Sequence, residues 1–202
     1  MGYLRGTNKP VTYINRVKTP SMAAKVRRLE YLLQRNKPEL QQFKSNTSVT
    51  ATVIGTNTHT EDVTSLLVAS GSFRDRILGD DWINKKLVVK IAASSDEITR
   101  MRVVIYSPKH SSTTFGPGGL LNFTELPDHT AFRVFADTMK TQKYAAEDML
   151  MSVSADLRNM MTEYNSDASF VDEGPVKVMI TYTTTTNSAQ FRLATALYFT
   201  NK

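Results

Sequence analysis

The chain has 202 residues, 41% of them hydrophobic, and 25 Lys and Arg against 19 Asp and Glu, for a formal net charge of +6 at pH 7. That size suits one domain, or one domain with an extension. Cysteine is absent, which excludes disulfides and thiolate chemistry, and with neither a membrane-length apolar run nor a signal-peptide pattern over Met1 to Thr12, no membrane partner is expected.

The charge is unevenly placed. Residues 1–44 hold ten basic residues against Glu30 and Glu39, a net +8, and residues 45–202 hold fifteen basic and seventeen acidic ones, a net −2. A basic arm of residues 1–44 ahead of a near-neutral body of residues 45–202 points to a polyanionic partner. Within the arm, Met1 to Lys18 mixes Gly, Asn and Pro with scattered Arg5, Lys9, Arg16 and Lys18. Thr19 to Phe43 then reads as an amphipathic helix over about residues 20–36, with Thr19 as N-cap and Pro20 at the first helical position. Met22, Val26, Leu29 and Leu33 form one apolar face at i, i+4, i+7 and i+11. Lys25, Arg28 and Arg35 flank it, Arg27 points further round, and Lys37 follows. Pro38 ends the helix near Asn36 and opens a short turn through Glu39 to Phe43. Three readings fit such a helix: a surface helix buried on a core, a membrane-surface helix, and a nucleic-acid-binding arm. The stripe lacks Trp and Phe, which counts against the membrane.

At Ser45 the composition turns to Thr, Ser, Val and Ile, which favours extended chain. Strands are predicted over Val49 to Ile54, Asp62 to Ala69, Lys85 to Ala93, Arg100 to Ser107, Thr130 to Thr141, Met149 to Leu157, Lys177 to Thr185 and Phe191 to Thr200. Short helices are predicted at Gly118 to Leu126 and Ala155 to Tyr164. About eight short strands with uneven loops predict an all-β antiparallel sandwich or barrel, not a parallel α/β fold.

Catalytic signatures are missing. His59, His110 and His129 each sit in a polar, loop-like context that predicts a surface histidine, without metal-ligand spacing. No GxSxG, HExxH, GxGxxG or P-loop pattern occurs, and Gly116 to Gly119 reads as a long turn. The carboxylate pairs Asp80-Asp81, Glu147-Asp148 and Asp172-Glu173 are placed in loops, where solvated charge is the favoured reading and a structural calcium the functional one. Trp82 is expected to anchor a core or an interface. No enzyme, cofactor or catalytic residue is predicted.

Three segments, in order, resemble the satellite tobacco necrosis virus-like coat proteins, a group that includes capsid proteins of circular Rep-encoding single-stranded DNA viruses. SMAAKVRRLEYLLQR resembles the basic helix that precedes the shell domain there. GSFRDRILGDDWINKKLVVKIAASSDEITRMRVVIYSPK resembles that group's passage from an RxGD join at Arg76 to Trp82 into two strands. FRVFADTMK, Phe132 to Lys140, resembles the strand after the long loop. The resemblance implies a single jelly roll of eight antiparallel strands and a coat protein that assembles with itself into a small T=1 icosahedral shell of about sixty copies. It also implies a virion location after assembly inside the host cell, with packaging of a single-stranded genome, DNA or RNA. The nucleic-acid-binding residues would be Arg5, Lys9, Arg16, Lys18, Lys25, Arg27, Arg28, Arg35 and Lys37. The stripe of Met22, Val26, Leu29 and Leu33 would pack against the arm helices of neighbouring subunits. The host receptor is left open. The competing reading is a non-viral jelly-roll binding module, carbohydrate- or cytokine-like, which would present an aromatic platform on its loops; Phe73, Phe115 and Phe123 are too scattered to form one.

Overall fold

The computed structural model describes residues 22, 25–27, 29, 39–70, 81–93, 97–110, 122–142, 148–165 and 170–201. The chain divides into two units, Met1–Lys37 and Pro38–Lys202. In the first, the described residues Met22, Lys25, Val26, Arg27 and Leu29 are helical.

In the second unit the described residues form nine strands: β1 Gln41–Thr50, β2 Gly55–Asp62, β3 Asp81–Ala93, β4 Ile98–Pro108, β5 Phe132–Thr141, β6 Met149–Asn165, β7 Phe170–Glu173, β8 Lys177–Thr184 and β9 Gln190–Asn201. One helix, α1, spans Val63–Ala69. The strands make two antiparallel sheets, ordered β1-β9-β3-β6-β7 and β2-β8-β4-β5. The pairs β1–β9, β2–β8, β3–β6 and β4–β5 are nested, as in a long hairpin closed at β4–β5 and then rolled up. That arrangement is the jelly roll: eight strands in two four-stranded sheets, with the four-residue β7 added at one edge.

Alternation makes the sandwich. In β3, Leu87, Val89, Ile91 and Ala93 are buried while Lys86, Lys90 and Ala92 are exposed. In β4, Met101, Val103 and Ile105 face the main core, and Val104 and Tyr106 join a second, smaller cluster with Phe132 and Met179 on the far face of the four-stranded sheet. Trp82 is fully buried, as an anchor should be. Its Nε1 donates to Asn84 Oδ1 at 2.9 Å, Asn84 Nδ2 donates to Thr162 Oγ1, and Thr162 Oγ1 donates to the Gly174 carbonyl. This relay satisfies the buried polar groups, which would otherwise be costly, and fastens β3, β6 and the approach to β8. Gly174 has φ 63, and a Cβ there would meet the Met161 carbonyl oxygen at 2.2 Å, so only glycine fits.

Several sequence expectations are corrected. Asp62 to Ala69 is not a strand. The Asp62 side chain accepts from the Ser65 N–H and caps α1, whose Val63, Thr64, Leu67 and Val68 are buried at helical spacing. Ala155 to Tyr164 is not a helix but the second half of β6. There Arg158 and Asn159 take φ 53 and 57, and the burial pattern slips by one residue, from Ala155 and Leu157 to Met160, Thr162 and Tyr164. The partner strand is irregular at the same level, between Asn84 and Lys86. The turn expected over Glu39 to Phe43 gives way to β1, which starts at Gln41 and ends at Thr50, so Gln41 to Lys44 pair in the sheet although they precede the composition change at Ser45. Val49 to Ile54 is therefore split between β1 and the turn before β2. Asp172 and Glu173 lie in β7, and Asp81 opens β3, so none of the three is a loop residue. Of the helix expected at Gly118 to Leu126, residues 118–121 lie outside the described residues, and Asn122 to Leu126 is turn and irregular chain.

Candidate nucleic-acid and assembly surfaces

Among the described residues of the first unit, Met22 is 78% exposed, Val26 48% and Leu29 59%. Three apolar side chains at helical spacing are thus open among the described residues of this unit. Lys25 and Arg27 stand exposed among these residues. The expected ligands Arg5, Lys9, Arg16, Lys18, Arg28, Arg35 and Lys37 and the packing residue Leu33 lie outside the described residues. Among the described residues no helix is long and apolar enough to cross a membrane.

The second unit holds three arrangements that the sequence does not announce. The first is a clamp on the four-stranded sheet. Arg102, buried, donates from Nε and Nη2 to both carboxylate oxygens of Asp137, at 2.9 and 2.6 Å. Its Nη1 donates to the carbonyls of Asn122 and Glu125. The neighbouring Arg100 lies over the Phe123 ring, 4.4 Å from the centroid. Two arginines of one strand thus hold the Asn122 to Glu125 turn onto the sheet. Bidentate geometry is what guanidinium offers and ammonium does not.

The second lies between the sheets. Glu61 of β2 is buried and accepts from Thr47 Oγ1 of β1 at 2.8 Å and from Thr195 Oγ1 of β9 at 3.4 Å, which ties one sheet to the other. Two residues earlier, His59 is a strand residue and not the loop histidine expected. It packs edge-on to Phe191 at 6.5 Å, and its Nε2 is buried without a hydrogen-bond partner among the described residues. Burial lowers its pKa below the ordinary histidine value, and the Glu61 charge works against that shift. His110 and His129 are exposed, as expected.

The third is the turn between β1 and β2. Val53 and Ile54 are exposed at its tip, yet the turn is fastened: Asn57 Nδ2 and Thr184 Oγ1 both donate to the Val53 carbonyl, at 2.8 and 3.1 Å. A rigid turn that displays two aliphatic side chains suits contact with another surface. Among the described residues no group of three or more His, Asp or Glu is placed to hold a metal ion.

No family model matches the chain, and no curated protein matches it. Among solved structures it is similar to a chain of Desmodium yellow mottle tymovirus, with a TM-score of 0.40 and 10% identity over 82% of this chain and 89% of that one. It is similar to a chain of turnip yellow mosaic virus, with a TM-score of 0.43 and 13% identity over 82% of each. A chain of the empty head of turnip yellow mosaic virus gives a TM-score of 0.38 and 12% identity over 98% of this chain and 90% of that one. The fold rests on the sheet order itself and not on these likenesses.

Proposed function

We propose that the chain is a viral coat protein: copies of its jelly roll tile a small closed shell, and its basic N-terminal arm neutralises a packaged single-stranded genome. The observation that carries the reading is the exposed stripe of Met22, Val26 and Leu29 with Lys25 and Arg27 beside it, in one chain with a jelly-roll body. An apolar surface and a cationic surface on one helical segment call for two partners at once. Neighbouring copies of the stripe supply the first, and phosphate supplies the second. The basic arm is residues 1–44, of which Lys44 is the last cation and lies in β1. Equivalent copies in closed symmetry give about sixty in the smallest icosahedral case. Binding through these cations is sequence-independent, because contacts to phosphate carry no base readout.

The test is negative-stain microscopy of the purified full-length protein, followed by nuclease digestion of the nucleic acid extracted from it. Uniform round particles with a nuclease-sensitive strand are expected. A monomer that binds no nucleic acid would refute the proposal, and DNase against RNase sensitivity assigns the genome.

A further inference from the structure

The exposed face of the five-stranded sheet carries its own charge pattern. The register places its outward residues in rows. One row runs Gln42, Tyr198, Lys86, Asp156; the next Lys44, Ala196, Val88, Ser154; the next Asn46, Ala194, Lys90, Ser152; and the last Ser48, Arg192, Ala92, Leu150. Lys44, Lys86, Lys90 and Arg192 therefore share one face and fall in four successive rows on β1, β9 and β3. All four are exposed, and none makes an ion pair among the described residues. Ordinary strand spacings put neighbouring members of the set on the order of 8–14 Å apart, at or beyond the Debye length of about 8 Å at physiological ionic strength, so each cation is largely screened from the next and would meet its own phosphate.

The rest of the stripe is neutral: Ser48, Val88, Ala92, Ala194 and Ala196 are small, Asn46 is polar, and Gln42 and Tyr198 are tied to each other by a 2.7 Å hydrogen bond in the row of Lys86. Acid is confined to its borders. Asp156 already accepts from the Arg158 N–H at 2.8 Å. Asp148 sits with Arg192 at the rim of a shallow recess, and Asp172 and Glu173 belong to the far edge strand β7. The stripe β1-β9-β3 is thus cationic although residues 41–202 as a whole are net −1.

We infer that this face is a second nucleic-acid surface, on which Lys44, Lys86, Lys90 and Arg192 contact the phosphates of a single strand independently of the arm. The inference rests on the coat-protein reading for its ligand, but it concerns strand residues of the sandwich alone, Lys44 among them because it lies in β1 although it closes the basic stretch of residues 1–44. Charge complementarity selects the occupant: four cations without an ion-pair partner among the described residues suit a flexible polyanion better than a folded protein, whose interface core is depleted of charge.

The experiment measures binding of a labelled 30-nucleotide oligo(dT) by fluorescence anisotropy between 50 and 400 mM salt. It uses the full chain at subunit concentrations where it is unassembled. The variant Lys44→Ala/Lys86→Ala/Lys90→Ala/Arg192→Ala is compared with the native protein and with a control, Lys109→Ala/Arg133→Ala/Lys140→Ala, which removes two cations from β5 and one from the residue after β4. Single-strand contacts contribute about 0.7 each to the slope of log affinity against log salt, so the fourfold variant should lower the slope by up to about 3 and weaken binding roughly ten- to a hundredfold at physiological salt. The control should leave both unchanged. All seven side chains are exposed, and circular dichroism checks that the fold is kept. An unchanged slope in the fourfold variant overturns the inference while the arm and the coat reading stand. An equal loss in the control overturns it too, because net charge and not this face would then set binding. A native protein that neither binds oligo(dT) nor forms particles defeats the coat reading itself.

Discussion

Removal of the Asp137 carboxylate is the sharpest probe of how the four-stranded sheet is held. The Arg102 side chain is 5% exposed and that of Asp137 29%, so Asp137→Ala strands a guanidinium that solvent barely reaches. Breaking a buried pair from one side costs about 3–5 kcal/mol. Here the Asn122 and Glu125 carbonyls still accept from Nη1, and part of the pair is wet, so the expected loss is about 2–4 kcal/mol. Urea unfolding of the unassembled subunit measures it as a fall in midpoint at constant slope. Arg102→Met with Asp137→Leu removes both charges and keeps volume, so it should recover most of the loss, because an apolar pair avoids the stranded charge. The Asn122 to Glu125 turn should loosen chiefly in the double variant, which removes the Nη1 donor, visible as faster amide exchange. A loss below about 0.5 kcal/mol in Asp137→Ala would place the pair among surface bridges and refute the clamp.

Three further outcomes are expected. Gly174→Ala should destabilise the subunit by about 3 kcal/mol or more, from a left-handed backbone and a Cβ against the Met161 carbonyl; thermal unfolding checks it. His59 is held below its unfolded pKa by burial, so the stability tied to its neutral form is present above the ordinary histidine value and is lost as pH falls through the lower folded one; denaturant midpoints between pH 7.5 and 5 should fall more steeply in the native protein than in His59→Gln. Leu29→Asp with Leu33→Asp should abolish or sharply reduce particle yield and leave the unfolding midpoint of the subunit within about 0.5 kcal/mol, because an exposed stripe contributes little until a neighbour covers it.

Of the strands that the sequence displayed, β3 from Lys86 and β9 alternate with period two on a buried face, while β8 is buried on both faces and reads by its β-branched and aromatic residues. Lys85 to Ala93, Lys177 to Thr185 and Phe191 to Thr200 differ from β3, β8 and β9 mainly at their ends. The misread ones share a physical cause. The left-handed pair Arg158 and Asn159 shifts the inward set of β6 by one residue and imitates a helical spacing, and the irregularity at Lys85 hid the Asp81 to Asn84 start of β3 in the same way. Asp62 to Ala69 is rich in β-branched and aliphatic residues, yet its cap and its buried Val63 and Leu67, four apart, carry a helical signal outweighed by propensity. Gln41 to Lys44 is too polar to read as strand and is held there by pairing with β9. Of the surfaces, the exposure of Met22, Val26 and Leu29 and of Lys25 and Arg27 beside them could be read from periodicity. The Arg102 clamp, the Glu61 bridge and the cations of β1, β3 and β9 were not, because each gathers residues from distant strands and depends on register.

The central claim is that many copies of this chain close around a single strand. Sedimentation of the purified particles with absorbance at 260 and 280 nm tests it most directly. Sixty copies of a 22.6 kDa chain give a protein shell of roughly 1.4 MDa. Sixty arms of +8 bring roughly 480 positive charges, which mobile cations extend to a strand on the order of one to a few thousand nucleotides. The account predicts one sharp boundary whose mass is that shell plus such a strand, with nucleic-acid absorbance that survives added nuclease and disappears when the particles are dissociated before digestion. A boundary at the mass of one or two chains, without absorbance from nucleic acid, would contradict it.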